Sequence, residues 1–114
     1  NEDEAASLCD SDIASATETL CGQVGEAVIT RGENGAFVSS GDIQHECAAQ
    51  PFGGVEDTTG AGDLFAAGYL FGRTNGRDPL ASGLIASLAA GEVISHIGAR
   101  PQADVAAMIA AEKL

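Results

Sequence analysis

The stretch from Asp78 to Gly98 constrains this chain most. Asp78-Pro79 is a helix start, with Asp as the cap and Pro at the first helical position, where its missing N–H costs nothing. Leu80, Gly83, Leu84, Ile85, Ala86, Leu88, Ala89, Ala90, Gly91, Val93 and Ile94 follow, so the predicted helix runs to about His96, with Gly98 as its stop. A helix that is apolar nearly all round must be buried on several sides. Its small residues predict close approach of neighbouring backbone. A 114-residue unit with three or four strands is small for surrounding such a helix. We therefore expect further sheet and helices upstream, and read 1–114 as a single partial domain.

The remaining elements follow from periodicity and punctuation. Residues 2–9 and 12–22 are Ala-rich and helical in character, separated by Asp10-Ser11-Asp12, with Ser11 or Asp12 as the second cap and Gly22 as its stop. Ala27-Val28-Ile29-Thr30 is a short apolar run and reads as a buried, parallel strand. Ala36-Phe37-Val38 is a second strand. Asn34-Gly35 between them is a tight-turn signal that predicts a hairpin. Residues 43–50 form a third strand, and 51–60, starting at Pro51, a loop. A helix follows from Ala61, with Leu64, Phe65, Gly68 and Phe71 or Gly72 on one face and Asn75-Gly76 at its end. A last helix covers about 102–113, with Val105, Met108, Ile109 and Glu112 along one stripe. Strands followed by helices, with no internal repeat, give an α/β class.

Charge narrows the function. Lys plus Arg number 5 against 17 Asp plus Glu, a formal charge of −12. A nucleic-acid surface needs clustered base, and docking on anionic lipid needs the same, so neither partner is expected. No run of 18 apolar residues exists to span a membrane. Asn1-Glu2-Asp3-Glu4 is the opposite of a cationic leader. Cys9, Cys21 and Cys47 are odd in number and lack a CxxC, which excludes a disulfide scaffold or zinc ribbon and fits free thiols in the cytoplasm. His45 and His96 stand alone. Each reads as structural or exposed.

The chemistry concentrates in Asp57-Thr58-Thr59-Gly60-Ala61-Gly62-Asp63. Gly60, Ala61 and Gly62 carry little or no side chain where a loop becomes a helix. Free backbone N–H groups and the helix dipole there favour an anion, and missing bulk lets a phosphate reach the backbone. Asp63 follows in the first turn, where a carboxylate can take the proton of a hydroxyl attacking phosphorus. The bland reading is that an acid in a first turn is a common helix start worth only about 0.3–1 kcal/mol.

Asp57 to Leu70 resembles the C-terminal signature of the PfkB carbohydrate kinase family, the ribokinases, fructokinases and adenosine kinases. Asn1-Glu2-Asp3-Glu4 resembles the family's Asn-x-x-Glu motif. Thr30 to Gly35 resembles its strand-end turn at the nucleotide, and Ala89 to Pro101 its helix and loop near the adenine. The resemblance covers nearly the whole chain and corresponds to the last third or so of a family member. It implies a ribokinase-like fold, this chain being the C-terminal part of a three-layer αβα sandwich with a mostly parallel central sheet.

The resemblance also implies roles. Asp63 is the catalytic base, and Gly60, Ala61 and Gly62 are the anion hole. Thr30, Gly32, Gly35, Ser87 and Ala90 bind ATP. Asn1 and Glu4 hold magnesium through water, and Asp57 and Thr59 hold potassium with carbonyls of the 95–101 loop. The implied reaction moves the γ-phosphate of ATP to a hydroxymethyl group of a sugar or nucleoside, in a cytoplasmic enzyme compatible with a homodimer at full length. The upstream half that selects the acceptor is absent from these residues. The rival reading is a non-catalytic nucleotide-binding or structural α/β module left by truncation. A Rossmann domain is poorer, because no Gly-x-Gly-x-x-Gly joins the strand at 27–30 to a helix.

Overall fold

The computed structural model describes residues 1–50 and 52–114, so the predicted loop start at Pro51 lies outside the described residues. Two helices come first, α1 (Glu2–Cys9) and α2 (Ile13–Gln23). Asn1 caps α1, and Asp12 rather than Ser11 caps α2, its carboxylate accepting the Ser15 N–H at 2.8 Å. α2 runs through Gly22, which does not stop it; the helix closes at Val24.

Three strands follow, β1 (Glu26–Thr30), β2 (Ala36–Ser40) and β3 (Ile43–Cys47), in the order β1-β2-β3. The Asn34-Gly35 hairpin is present. A 3-10 turn over Gly32–Asn34 makes it, and the Arg31 N–H donates to the Gly35 carbonyl at 2.7 Å. β1 pairs with β2 antiparallel, Val28 opposite Val38, as the hairpin requires, and β2 with β3 likewise, Ala36 opposite Cys47; the parallel reading of 27–30 finds no parallel partner among the described residues. A short apolar run marks burial without marking strand direction, and the hairpin turn decided direction here. The mostly parallel sheet expected of the whole fold is represented in the described residues by this antiparallel meander alone. β3 ends at Cys47, three residues before the expected 50.

Three helices complete the chain, α3 (Ala61–Thr74), α4 (Pro79–Val93) and α5 (Val105–Ala111). Asp78 caps α4 as expected, accepting the Ala81 N–H at 2.7 Å, with Pro79 in the first turn. α4 ends at Val93 rather than His96, where Ser95 turns back to donate its N–H to the Glu92 carbonyl. α5 is shorter than the expected 102–113, because Asp104 caps it at 105 and Glu112 lies past its end.

The core lies between the sheet and the α3–α4 pair. Ala36, Val38 and Cys47 of the sheet meet Phe65 and Tyr69 of α3 and Ala86 of α4. A second cluster, Ala5, Ala16 and Ile29, seats α1 and α2 near β1. α4 is buried on nearly every side, as its composition requires. Its glycines permit this. A Cβ on Gly83 would stand 2.4 Å from Cys47 Sγ, and one on Gly91 would stand 1.8 Å from the Gln50 carbonyl oxygen. Across from it, a Cβ on Gly68 of α3 would stand 2.8 Å from the Ala86 Cα. Backbone therefore packs on backbone where the two helices cross. A half-buried ion pair ties α3 to the sheet: Arg73 holds both carboxylate oxygens of Glu26 at 2.9 and 3.1 Å, and the Tyr69 hydroxyl donates to the same carboxylate.

Candidate active site

The chain enters α3 through a loop that is pinned from one side. The carbonyl of Ile94, just past α4, accepts the N–H groups of Glu56 and Asp57 at 2.8 and 3.3 Å. The Asp57 carboxylate accepts the Thr59 N–H at 2.9 Å and the Gly98 N–H at 2.9 Å. The Gly98 N–H, then the bonds from Thr59, hold this carboxyl down at about 2. Gly60 then caps α3 at φ 82, in the left-handed region that favours glycine. A Cβ there would also stand 2.8 Å from that of Ala99.

This entry leaves donors free. The Ala61 N–H bonds the Thr58 carbonyl at 3.2 Å, and the Leu64 N–H bonds that of Gly60 at 2.9 Å. The N–H groups of Gly62 and Asp63 have no acceptor among the described residues. Both residues are exposed, at the positive end of the helix dipole. Nothing lies within 4 Å of where a Cβ on Gly62 would stand. Unlike Gly60, Gly68, Gly83 and Gly91, this glycine answers no packing demand. The Asp63 carboxylate makes no hydrogen bond among the described residues and is free to accept one.

A cleft of about 490 Å³ opens beside this helix start. Asn1, Glu4, Thr30 and Gly62 line it, with Val28, Phe65 and Tyr69 among the apolar residues of its wall. Four expected site residues from α1, β1 and α3, distant in sequence, thus meet at one opening. Asn1 and Glu4 also cap α1: Asn1 Oδ1 accepts the Glu4 N–H at 2.9 Å, and Glu4 Oε2 accepts the Asn1 nitrogen at 2.6 Å. The carboxylate of Glu4 stays exposed at the cleft. Burial, then the Glu26 carboxylate, pushes the pKa of the Tyr69 hydroxyl on the cleft wall well above the usual tyrosine range, so the hydroxyl stays neutral.

Other expected residues lie apart from this cleft. Gly32 is exposed in the hairpin turn. Gly35 is buried against β3, where a Cβ would stand 2.0 Å from the Cys47 carbonyl oxygen at φ 80, a packing role sufficient to require glycine. Ser87 is 3% exposed inside α4, its hydroxyl without a partner among the described residues. Ala90 packs against the central core cluster. Asp57 and Thr59 stand at the loop leading into α3. Among the described residues no group of three or more His, Cys, Asp or Glu is arranged to hold a metal. No helix among them is long and apolar enough to cross a membrane.

The sequence reading missed Glu92. It is 4% exposed, and its Oε1 accepts the N–H groups of Gln102 and Ala103 at 2.9 and 2.8 Å and faces His96 Nε2 at 3.2 Å. His96 therefore spends a ring nitrogen on this carboxylate. The missed signal was available: Glu92 is the one acidic side chain between Pro79 and Ile94, in a helix otherwise apolar nearly all round.

The family model for pfkB family carbohydrate kinases matches residues 1–106. An uncharacterized sugar kinase of Archaeoglobus fulgidus is 34% identical over 103 residues, covering 88% of this chain and 40% of the relative. A probable sugar kinase of Rhizobium etli superposes with a TM-score of 0.94 at 38% identity, over 99% of this chain and 34% of that one. An adenosine kinase of Sinorhizobium meliloti superposes at 0.89 with 40% identity, over 99% and 34%. The chain thus spans 34–40% of the length of these proteins, and shares with them a ribokinase-like α/β fold. With both its sequence and its fold in common with these kinases, the chain belongs to the pfkB family of carbohydrate kinases.

Proposed function

We propose that this chain carries the phosphoryl-transfer end of an ATP-dependent sugar or nucleoside kinase. The observation that carries the proposal is Gly62: a helical glycine with open space around it, its own N–H and that of Asp63 unpaired, at the rim of a cleft. A helix gains by replacing such a glycine with alanine, so the missing side chain favours something outside the protein. An oxyanion of a transferring phosphoryl group fits, because it needs close-set N–H donors and no intervening bulk.

The roles then follow from chemistry. The two N–H groups, with Gly60 and Ala61 shaping the approach, stabilise charge on the equatorial oxygens. Asp63, in the same first turn, accepts the proton of the acceptor's hydroxymethyl group as its oxygen attacks. Thr30 lies at the cleft for the nucleotide, while Gly32, Gly35, Ser87 and Ala90 stand apart from it, so on this reading their part in nucleotide binding is outside the cleft. Asn1 and Glu4 offer only oxygen ligands at the cleft, the donor type magnesium prefers, and with no protein cage it would be held through water and phosphate. Magnesium bound with ATP supplies charge neutralisation on the phosphates. The same reading puts potassium beside Asp57 and Thr59 with loop carbonyls, which a potassium-for-sodium exchange during turnover tests.

The net charge of −12 does not oppose an anionic substrate. Distant surface charge is screened over about 8 Å at physiological ionic strength, while the N–H groups act at contact. The test is transfer of labelled phosphate from ATP to a panel of sugars and nucleosides by the complete gene product. Transfer to none of them, in a folded sample that binds ATP, sinks the proposal in favour of a nucleotide-binding module.

A further inference from the structure

Glu92 stands one residue before the end of α4, and the chain that leaves the helix comes back to it. Residues 94–101 loop outward, and the N–H groups of Gln102 and Ala103 then close on Glu92 Oε1 at 2.9 and 2.8 Å, with His96 Nε2 at 3.2 Å on the same oxygen. The other oxygen, Oε2, is buried without a partner among the described residues. Burial opposes the charge of Glu92, yet the Ala103 and Gln102 amides and His96 outweigh it and hold the carboxyl below the usual glutamate range. A buried carboxylate with an orphaned oxygen is a feature folds rarely tolerate without a reason.

The loop that Glu92 closes is the wall behind the start of α3. Its Ile94 carbonyl takes the Glu56 and Asp57 N–H groups, and its Gly98 N–H donates to Asp57 Oδ2 at 2.9 Å. Its Ala99 lies so close to Gly60 that an added Cβ would stand 2.8 Å from that of Ala99. An unbroken run of contacts therefore joins Glu92 to residues 56–60, and residues 56–60 set how the Gly62 and Asp63 N–H groups point. The geometry points to Glu92 as a positioning residue for phosphoryl transfer. By clamping the 94–103 loop, its carboxylate fixes Asp57 and Gly60 and so aims the donors at the head of α3. It touches neither nucleotide nor acceptor. The inference rests on the phosphoryl-transfer reading of those donors.

The test uses the complete gene product with Glu92→Gln, which keeps size and one acceptor oxygen but loses the charge. His96→Ala serves as a second variant that removes one donor and leaves the helix intact. Amide exchange and steady-state kinetics are read together. In Glu92→Gln, exchange should rise about tenfold at Gln102 and Ala103 and, through the loop, at Gly98, with mid-α4 amides unchanged. Turnover should fall about tenfold while acceptor KM stays within about twofold, because geometry at the reacting centre is lost rather than acceptor binding. His96→Ala should move Gly98 exchange and turnover in the same direction by less, and decides alone if Glu92→Gln does not fold. Faster exchange confined to 102–103, with Gly98 and turnover as in the parent, overturns the proposal. If the parent transfers no phosphate at all, the functional reading fails, while Gly98 exchange still decides whether Glu92 controls the wall behind α3.

Discussion

Two glycines in one helix, six residues apart, should respond to alanine with opposite signs. Gly62 has nothing within 4 Å of an added Cβ, and Gly68 has the Ala86 Cα at 2.8 Å and the Ile85 carbonyl oxygen at 3.1 Å. At both sites alanine removes backbone freedom from the unfolded chain, a gain of roughly 0.5–1 kcal/mol. At Gly62 nothing opposes that gain, so Gly62→Ala should stabilise the fold by about that amount. At Gly68 the new methyl must move to an ordinary carbon contact of about 3.5–4.0 Å, and so α3 and α4 must separate by roughly 1 Å. Overpacking costs about 1–3 kcal/mol, and obstructing atoms that belong to backbone cannot rotate aside, which favours the upper half. The net for Gly68→Ala is a loss of about 1–2 kcal/mol. Urea titration of the complete gene product reads both as midpoint shifts, rightward for position 62 and leftward for 68. Activity should not follow stability. Gly62→Ala sets a methyl where the anion must sit, and turnover should fall at least about tenfold despite the stabler fold. A Gly62→Ala protein that loses stability as Gly68→Ala does, or that keeps parental turnover, would refute the reasoning.

Three further outcomes are expected. Asp63→Asn in the complete gene product should abolish turnover while ATP affinity, measured calorimetrically, stays within about twofold, because the base is lost and the donors remain; turnover within a few-fold of the parent would remove Asp63 from the mechanism. The hydrogen bonds from Arg73, outweighing burial, hold the Glu26 carboxyl below the usual glutamate range, so its contribution is present above that range and lost as pH falls through the lowered folded value. Glu26→Gln should therefore lower the urea midpoint near neutrality and shrink the acid-side loss of stability, and an unchanged acid limb would mean the Arg73 pair is not formed in solution. The Asp57 carboxyl, followed by carbon NMR, should titrate at about 2; an ordinary carboxylate midpoint would mean that the Gly98 and Thr59 N–H groups do not converge on it.

How much of this was legible in the sequence depended on whether a signal was local. The caps were: Asp12, Asp78 and the Gly60 entry to α3 appear where short-range chemistry puts them. The burial of α4 was legible as well, since an all-round apolar helix has one stable placement. The antiparallel pairing of β1 with β2 was legible only from the turn that follows, because apolar runs by themselves look alike in either pairing. Gly35 and Gly62 look equivalent as letters. One lies against the Cys47 carbonyl and the other against open space, a difference set by partners 12 or more residues away or by none. Asn1 and Glu4 were legible as a pair, but only the fold shows that they cap α1 and line a cleft with Thr30 and Gly62 at once. Glu92 was passed over although it is a lone acid in an apolar helix, and its partners, Gln102 and Ala103, come from a return of the chain that periodicity does not encode.

The close crossing of α3 and α4 bears on how the chain finds its structure. The two helices are consecutive, joined by Asn75 to Asp78, and mesh through Gly68 and Gly72 against Ala86 and Ser82. The β1-β2-β3 meander is also built from neighbours in sequence. Each closes only short loops, and such local assemblies form fast because little chain entropy is lost before contacts repay it. Docking of these two units brings Gly83 of α4 against Cys47 at the end of β3. A side chain at position 83 would leave both units able to form and unable to join. The defect would then register in the joining of the two units rather than in the helix or strand content of either one.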